Sequence, residues 1–134
     1  MTGWAEDVRR FHEVVGAHLD EGFTRPVLRA RRRFVEEEAR EAIEALGEAE
    51  DEAARGEVSL ETRRHLVREL IDLTYVVMGT FAALGIDPEP AWRAVHEANM
   101  RKHPAGVSGA KAVKPAGWEA PMVPLAPFRP GGDR

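Results

Sequence analysis

Five carboxylates stand where their types and spacing suit metal or acid–base chemistry. Glu37, Glu38 and Glu41 lie together in the run 34–44, and Glu69 and Asp72 lie three apart further on. Residues three or four apart on a helix share a face, so Glu38 neighbours Glu41, Glu37 neighbours Glu41, and Glu69 neighbours Asp72. The first run alone reads better as a solvated helix, because Glu36, Arg40 and Glu44 form ordinary four-apart surface pairs. The second run argues otherwise. Glu69 and Asp72 head a stripe continued by Val76, Gly79 and Ala83, small or apolar positions expected to be buried. A buried carboxylate neutralises, pairs or binds a metal.

The elements that must position these acids are helices. Leu66, Leu70, Leu73 and Val77 recur at helical spacing, and Ser59 and Gly85 supply a cap and a left-handed stop for a helix to about Leu84. Pro26 suits the first turn of a preceding helix that runs to about Arg55, where Gly56 ends it. Before it, Thr2 caps a helix carrying Trp4, Val8, Phe11, Val15 and Leu19, expected to end near Leu19. Asp87 and Pro88 open a fourth, with Trp92, Val95 and Met100 as apolar positions and Pro104 as its stop. No strand pattern appears in these hundred residues. Six of the nine prolines and five of the twelve glycines lie from Pro104 onward, which predicts coil, with Val107, Val113, Trp118, Met122, Val123, Leu125 and Phe128 as apolar anchors. The expected fold is all-α: a four-helix antiparallel bundle-like domain over 1–103, with a Pro/Gly-rich C-terminal extension over 104–134 that packs on it or acts as a lid.

Register brings the two acid runs together. With Gly56 at the turn of the second and third helices, Glu41 lies fifteen residues before it and Asp72 sixteen after, at nearly one height. Like charges about 5 Å apart at an effective dielectric near 20 repel by about 3 kcal/mol per contact. Protons, basic side chains or a metal must offset that. Arg68 and His65 are the basic candidates, and a structural salt-bridge cluster is the plain alternative. All-oxygen ligation in a chain without cysteine favours Mg²⁺ or Mn²⁺ over zinc. No histidine follows a Glu by three residues, which argues against a bundle di-iron centre.

The totals narrow the class. A chain of 134 residues is expected to form one domain. Its net charge of -4 and pI near 5.8 give no reason to expect nucleic acid. It has no cysteine, no signal-peptide pattern at its start and no uncharged run able to span a bilayer, so the expectation is a cytoplasmic protein with no membrane partner.

Glu37-Glu38-Ala39-Arg40-Glu41 followed by Glu69-Leu70-Ile71-Asp72, with 27 residues between Glu41 and Glu69, resembles the EExxE and ExxD motifs of the all-α nucleoside triphosphate pyrophosphohydrolases. That superfamily includes MazG proteins, dimeric dUTPases and phosphoribosyl-ATP pyrophosphohydrolases. His96-Glu97-Ala98-Asn99-Met100-Arg101-Lys102 and Gly109-Ala110-Lys111-Ala112-Val113-Lys114-Pro115 look like the MazG-like, dUTPase-related subgroup. The resemblance implies a Mg²⁺-dependent enzyme, with Mn²⁺ a possible substitute, that converts a nucleoside triphosphate such as dUTP to the monophosphate and pyrophosphate. It implies Glu38, Glu41, Glu69 and Asp72 as metal ligands, Glu37 as a further ligand or the acceptor of the water proton, and Glu37 and Glu38 as the catalytic pair. Asn99, Lys102, Lys111 and Lys114 are implied to bind substrate, and the assembly to be a homodimer or homotetramer. Two alternatives stand beside it: phosphoribosyl-ATP as substrate, and a non-catalytic helical dimerisation or metal-binding module.

Other features carry plainer readings. Lys102 and Asn99 also suit a helix terminus, and Lys111 and Lys114 suit solvated coil. Of Arg29, Arg31, Arg32 and Arg33, only Arg31 lies on the side of Glu38, seven residues before it. His12 and His96 read as packed, hydrogen-bonded residues, and Trp4, Phe11 and Tyr75 as core.

Overall fold

A computed structural model describes residues 3–102, 106–108 and 111–129. It contains four helices: α1 (Trp4–Val15), α2 (Arg25–Ala54), α3 (Leu60–Leu84) and α4 (Pro88–Met100). The all-α expectation holds. Within the expected coil, two-residue strands β1 (Val107–Ser108) and β2 (Lys111–Ala112) pair antiparallel, too short to change the class. None of the described helices is long and apolar enough to cross a membrane.

The chain packs as two units, Met1–Gly85 and Ile86–Arg134. In the first, α2 and α3 form an antiparallel hairpin against which α1 rests through α3. Each boundary has a local cause. Thr24 accepts the Val27 N–H to open α2, with Pro26 in its first turn. Ser59 accepts the Thr62 N–H at 3.1 Å to open α3. Gly85, at φ 79°, closes α3 by donating to the Phe81 carbonyl at 2.9 Å. Asp20 and Glu21 take the next two α3 carbonyls, Ala82 and Ala83, through their own N–H groups at 2.9 Å. Arg9 grips Asp20 with both terminal nitrogens, at 2.9 and 2.6 Å, which fixes α1 to the loop that serves α3.

Three expectations are corrected. Helix α1 stops at Val15 rather than near Leu19, because Gly16 turns left-handed at φ 73° and Ala17 donates back to the His12 carbonyl. Gly3 sits at its N-cap position with no side-chain cap, and Thr2, like Pro104, lies outside the described residues. The hairpin core is small rather than large: Ala42, Ala45, Ala82 and Ala83 are buried, whereas Leu70, Val77, Trp4, Phe11 and Tyr75 keep exposed surface. Close helix approach needs short side chains, and the large ones are displaced to the rim.

The hairpin register is pinned at both ends. Near the turn, the Ser59 N–H donates to Glu52 Oε1 at 2.9 Å and the buried Thr62 hydroxyl donates to Glu52 Oε2. These bonds, that from Thr62 first, hold the Glu52 carboxyl below its ordinary range. At the far end the buried Arg31 donates to the Val76 carbonyl at 2.9 Å and to the Thr80 hydroxyl at 3.2 Å, with Phe34 under its guanidinium. Burial depresses the Arg31 pKa, so these acceptors hold a charge that has left water.

Gly79 makes that arrangement possible. A Cβ there would stand 2.6 Å from Arg31 Nη2 and 2.8 Å from His12 Nε2, and His12 is itself buried with Nδ1 2.7 Å from the His18 carbonyl. Neither neighbour retreats without losing a hydrogen bond. Gly79→Ala is therefore expected to destabilise the protein by about 2 kcal/mol despite its better helix propensity. Urea unfolding measures this, and an unchanged or raised midpoint would overturn it.

Candidate metal centre

Midway between the two pins, α2 and α3 present acids to one another. Ala42 and Ala45, 2% and 1% exposed, line the α2 face toward α3, and their small side chains let the backbones close. One carboxylate oxygen each from Glu38, Glu41 and Glu69 then falls within 4.8 Å of the others. Glu69 is 9% exposed. Glu38 Oε2 and Glu69 Oε2 are fully covered and have no hydrogen-bond partner.

The protein supplies little positive charge here. Glu69 Oε1 lies 3.6 Å from His65 Nδ1 and 3.9 Å from Arg68 Nε, the latter on a mostly exposed side chain. Arg68 Nη2 stands 3.0 Å from the same His65 nitrogen, in donor position, which leaves that nitrogen no proton for Glu69. One distant guanidinium does not neutralise three carboxylates, so the salt-bridge alternative falls short. The Glu38 carboxyl is accordingly pushed above its ordinary range, first by burial, then by the Glu41 charge and a shared Glu41 hydrogen bond, then by Asp72 and Glu37.

The remaining residues singled out in the sequence are placed as follows. Glu37 and Asp72 are exposed and stand outside the 4.8 Å group, although the charge of each acts on Glu38. The expectation that Asp72 heads a buried stripe is corrected: Gly79 and Ala83 of that stripe are buried, whereas Asp72 is exposed. Asn99, Lys102, Lys111 and Lys114 lie in the second unit, Lys102 half-buried and the other three exposed. Lys102 and Lys114 meet the Trp118 ring. Arg31 does not serve the acids, being held by Val76 and Thr80. His12 is buried and hydrogen-bonded as expected, whereas His96 is exposed. The sequence carried no signal for the contact of Trp118 with Lys102, sixteen positions away.

Unpartnered covered oxygens, all-carboxylate donors and a raised carboxyl pKa fit a hard divalent cation. They do not fit a zinc or redox site, for which nitrogen or sulfur donors are wanted. A model of the phosphoribosyl-ATP pyrophosphohydrolase family matches residues 8–99. The chain belongs to this family. The match contains α2 and α3 with all five acids, and it stops at Asn99, short of the three lysines. No curated protein matches the chain significantly. Membership places the protein among the MazG-like all-α nucleoside triphosphate pyrophosphohydrolases and makes it a nucleotide pyrophosphohydrolase.

The raised Glu38 pKa has a signed consequence. A carboxyl that holds its proton more tightly folded than unfolded destabilises the fold as pH rises from the ordinary carboxylate range through the raised value. In EDTA, Glu38→Gln is expected to raise the melting temperature at pH 8 by a few degrees and to change it little at pH 4.5. Added Mg²⁺ is expected to raise the melting temperature of the unaltered chain and to leave that of the variant in place. A variant less stable than the parent in EDTA at pH 8 would contradict the charge argument.

Proposed function

We propose that the protein is a Mg²⁺-dependent pyrophosphohydrolase of phosphoribosyl-ATP, hydrolysing the α–β phosphoanhydride to leave the monophosphate and pyrophosphate. The carrying observation is the three-carboxylate convergence of Glu38, Glu41 and Glu69 inside the matched stretch. In this reading those three, with Asp72 completing the set, hold Mg²⁺ or Mn²⁺. The cation, when bound, supplies positive charge to the triphosphate and to the leaving pyrophosphate. Glu37, exposed beside Glu38, takes the proton of the attacking water or joins a second ion. Asn99, Lys102, Lys111 and Lys114 meet the phosphates or sugar, where lysine charge stabilises the departing group.

A second reading takes dUTP as substrate, through membership of the dUTPase-related subgroup. What favours it is the extension beyond the family match, with Lys102, Lys111 and Lys114 and a Pro-rich segment after them. The family match favours phosphoribosyl-ATP. Incubation with phosphoribosyl-ATP, dUTP and the eight common nucleoside triphosphates, with pyrophosphate and orthophosphate measured separately, decides between them. Pyrophosphate is the expected product, and Glu69→Gln is expected to lower kcat by at least about 100-fold with the fold intact. Unchanged hydrolysis in Glu69→Gln and Glu38→Gln would favour a non-enzymatic helical module instead.

We also propose that the protein assembles as a homodimer or homotetramer. Leu70, Ile71, Tyr75 and Val77 of α3, with Trp4 and Phe11 of α1, leave more apolar surface uncovered than a solitary chain of this size ordinarily does. Light scattering on the eluting protein is expected to give twice or four times the 14.9 kDa chain mass. Ile71→Glu is expected to shift it toward one.

A further inference from the structure

Among the described residues, Arg68 is the one arginine that reaches the clustered acids of the hairpin, and its setting on α3 is unusual. Asp72 stands four residues after it, the spacing at which opposite charges on a helix ordinarily pair. Asp72 nevertheless makes no salt bridge among the described residues. The guanidinium turns back instead, with Nη2 3.0 Å from Nδ1 of His65, three residues earlier. An arginine only donates, so the imidazole nitrogen accepts.

This turn leaves Arg68 beside the acids without engaging them. Its Nε is 3.9 Å from Glu69 Oε1, beyond hydrogen-bond length, while Glu69 Oε2 stays covered and without a partner. The side chain is 66% exposed, and Nη1 has no partner among the described residues. The guanidinium therefore keeps unused donors open to solvent at the edge of a carboxylate cluster. Carboxylates repel a phosphate that approaches the cation they hold. A fixed positive group at their edge offsets that repulsion, and its planar fork fits two phosphate oxygens at once.

We propose that Arg68 contacts the phosphate chain of the substrate beside the carboxylate site, and that His65 is its positioning residue, turning the guanidinium away from Asp72. The proposal rests on the pyrophosphohydrolase reading and adds a residue inside the matched stretch 8–99. Arg64 supplies the comparison. It lies one turn earlier on α3, exposed and without a salt bridge among the described residues, so it carries the same charge without the His65 bond.

The test uses the full chain, with binding of magnesium pyrophosphate followed by calorimetry and binding of Mg²⁺ alone by melting temperature. Arg68→Gln is expected to weaken pyrophosphate binding by at least about tenfold, the loss of a charge-assisted contact, and to leave the Mg²⁺ midpoint in place. Arg68→Lys keeps the charge without the fork and should fall between. His65→Leu should weaken binding by about fourfold. His65→Asn, whose amide oxygen can accept where Nδ1 does, should restore most of that loss. Adding His65→Leu to Arg68→Gln should change nothing further, because the two act as one unit. Arg64→Gln should bind as the parent does. With a turned-over nucleotide, Arg68→Gln and His65→Leu should raise KM more than they lower kcat. Pyrophosphate binding as tight in Arg68→Gln as in the parent would overturn the proposal, and hydrolysis still measured in the parent would leave the functional reading standing. Equal losses in Arg64→Gln and Arg68→Gln would overturn it as well, since charge alone would then suffice. A shift in the Mg²⁺ midpoint that accounts for the whole loss would mark a merely structural ion pair with Glu69, and would overturn it too. A parent that hydrolyses no nucleotide and binds no magnesium pyrophosphate defeats the functional reading, and this inference with it.

Discussion

Three carboxylates are held against one another in partial burial, and the hairpin that holds them is built to resist their repulsion. Glu38, Glu41 and Glu69 would separate if α2 and α3 slid or splayed. Sliding is opposed at both ends: by Glu52 with Ser59 and Thr62 near the turn, and by Arg31 with Val76 and Thr80 beyond the acids. Splaying is opposed by the burial of Ala42 and Ala45 on the α2 face, whose dispersion contacts a wider spacing would forfeit. The acids are therefore preorganised, and a cation that binds them meets oxygens already in place rather than having to gather them.

Much of this was legible in the sequence because it depends on helix geometry. A fixed rise per residue and a glycine at the turn set the heights of Glu41 and Asp72, while Gly56 and Gly85 mark boundaries by backbone preference and Ser59 by its side-chain cap. What depends on packing was not legible. Apolar periodicity marks Leu66, Leu70, Leu73 and Val77 as a face, but it does not say that Ala42, Ala45 and Ala82 are buried while Leu70 and Val77 keep exposed surface. The same limit explains Asp72: three residues advance a helix by about 300°, so a partner of Glu69 on the helical net sits at the rim of the interface. Likewise α1 ends at Gly16 because of one left-handed residue, which outweighs the apolar pattern running on to Leu19. The bond from Trp118 to Ala98 joins residues twenty positions apart, which no local pattern pairs.

The residues proposed for the function divide along the family boundary. The acids lie in the matched stretch 8–99, which carries the chemistry that the family shares. Lys102, Lys111 and Lys114 lie past it, in a segment tied to α4 by the Trp118 indole, and at its far end by the Asp87 N–H donating to the Ala126 carbonyl at 2.7 Å. A segment anchored at both ends of a helix can vary in between without disturbing the hairpin.

The distribution of basic residues argues that the missing positive charge comes from outside the chain. The protein has nineteen lysines and arginines, ample to neutralise three acids. Only Arg68, 3.9 Å from Glu69 and largely exposed, reaches toward the acids, and several others are committed elsewhere: Arg9 to Asp20, Arg32 to Glu36, Arg63 to Glu57, Arg31 to a carbonyl and a hydroxyl. Arg31 is the most telling. It lies two turns before Glu38 on the same side of α2, buried and without a carboxylate of its own among the described residues, yet it is held by Val76 and Thr80 at the far end of the hairpin. A fold selected for a neutral structural cluster would bring such a cation to the acids, because pairing a buried charge costs less than leaving two apart. The guanidinium is held away while Glu38 Oε2 and Glu69 Oε2 stay covered and unpartnered, which supports the proposed divalent-cation site.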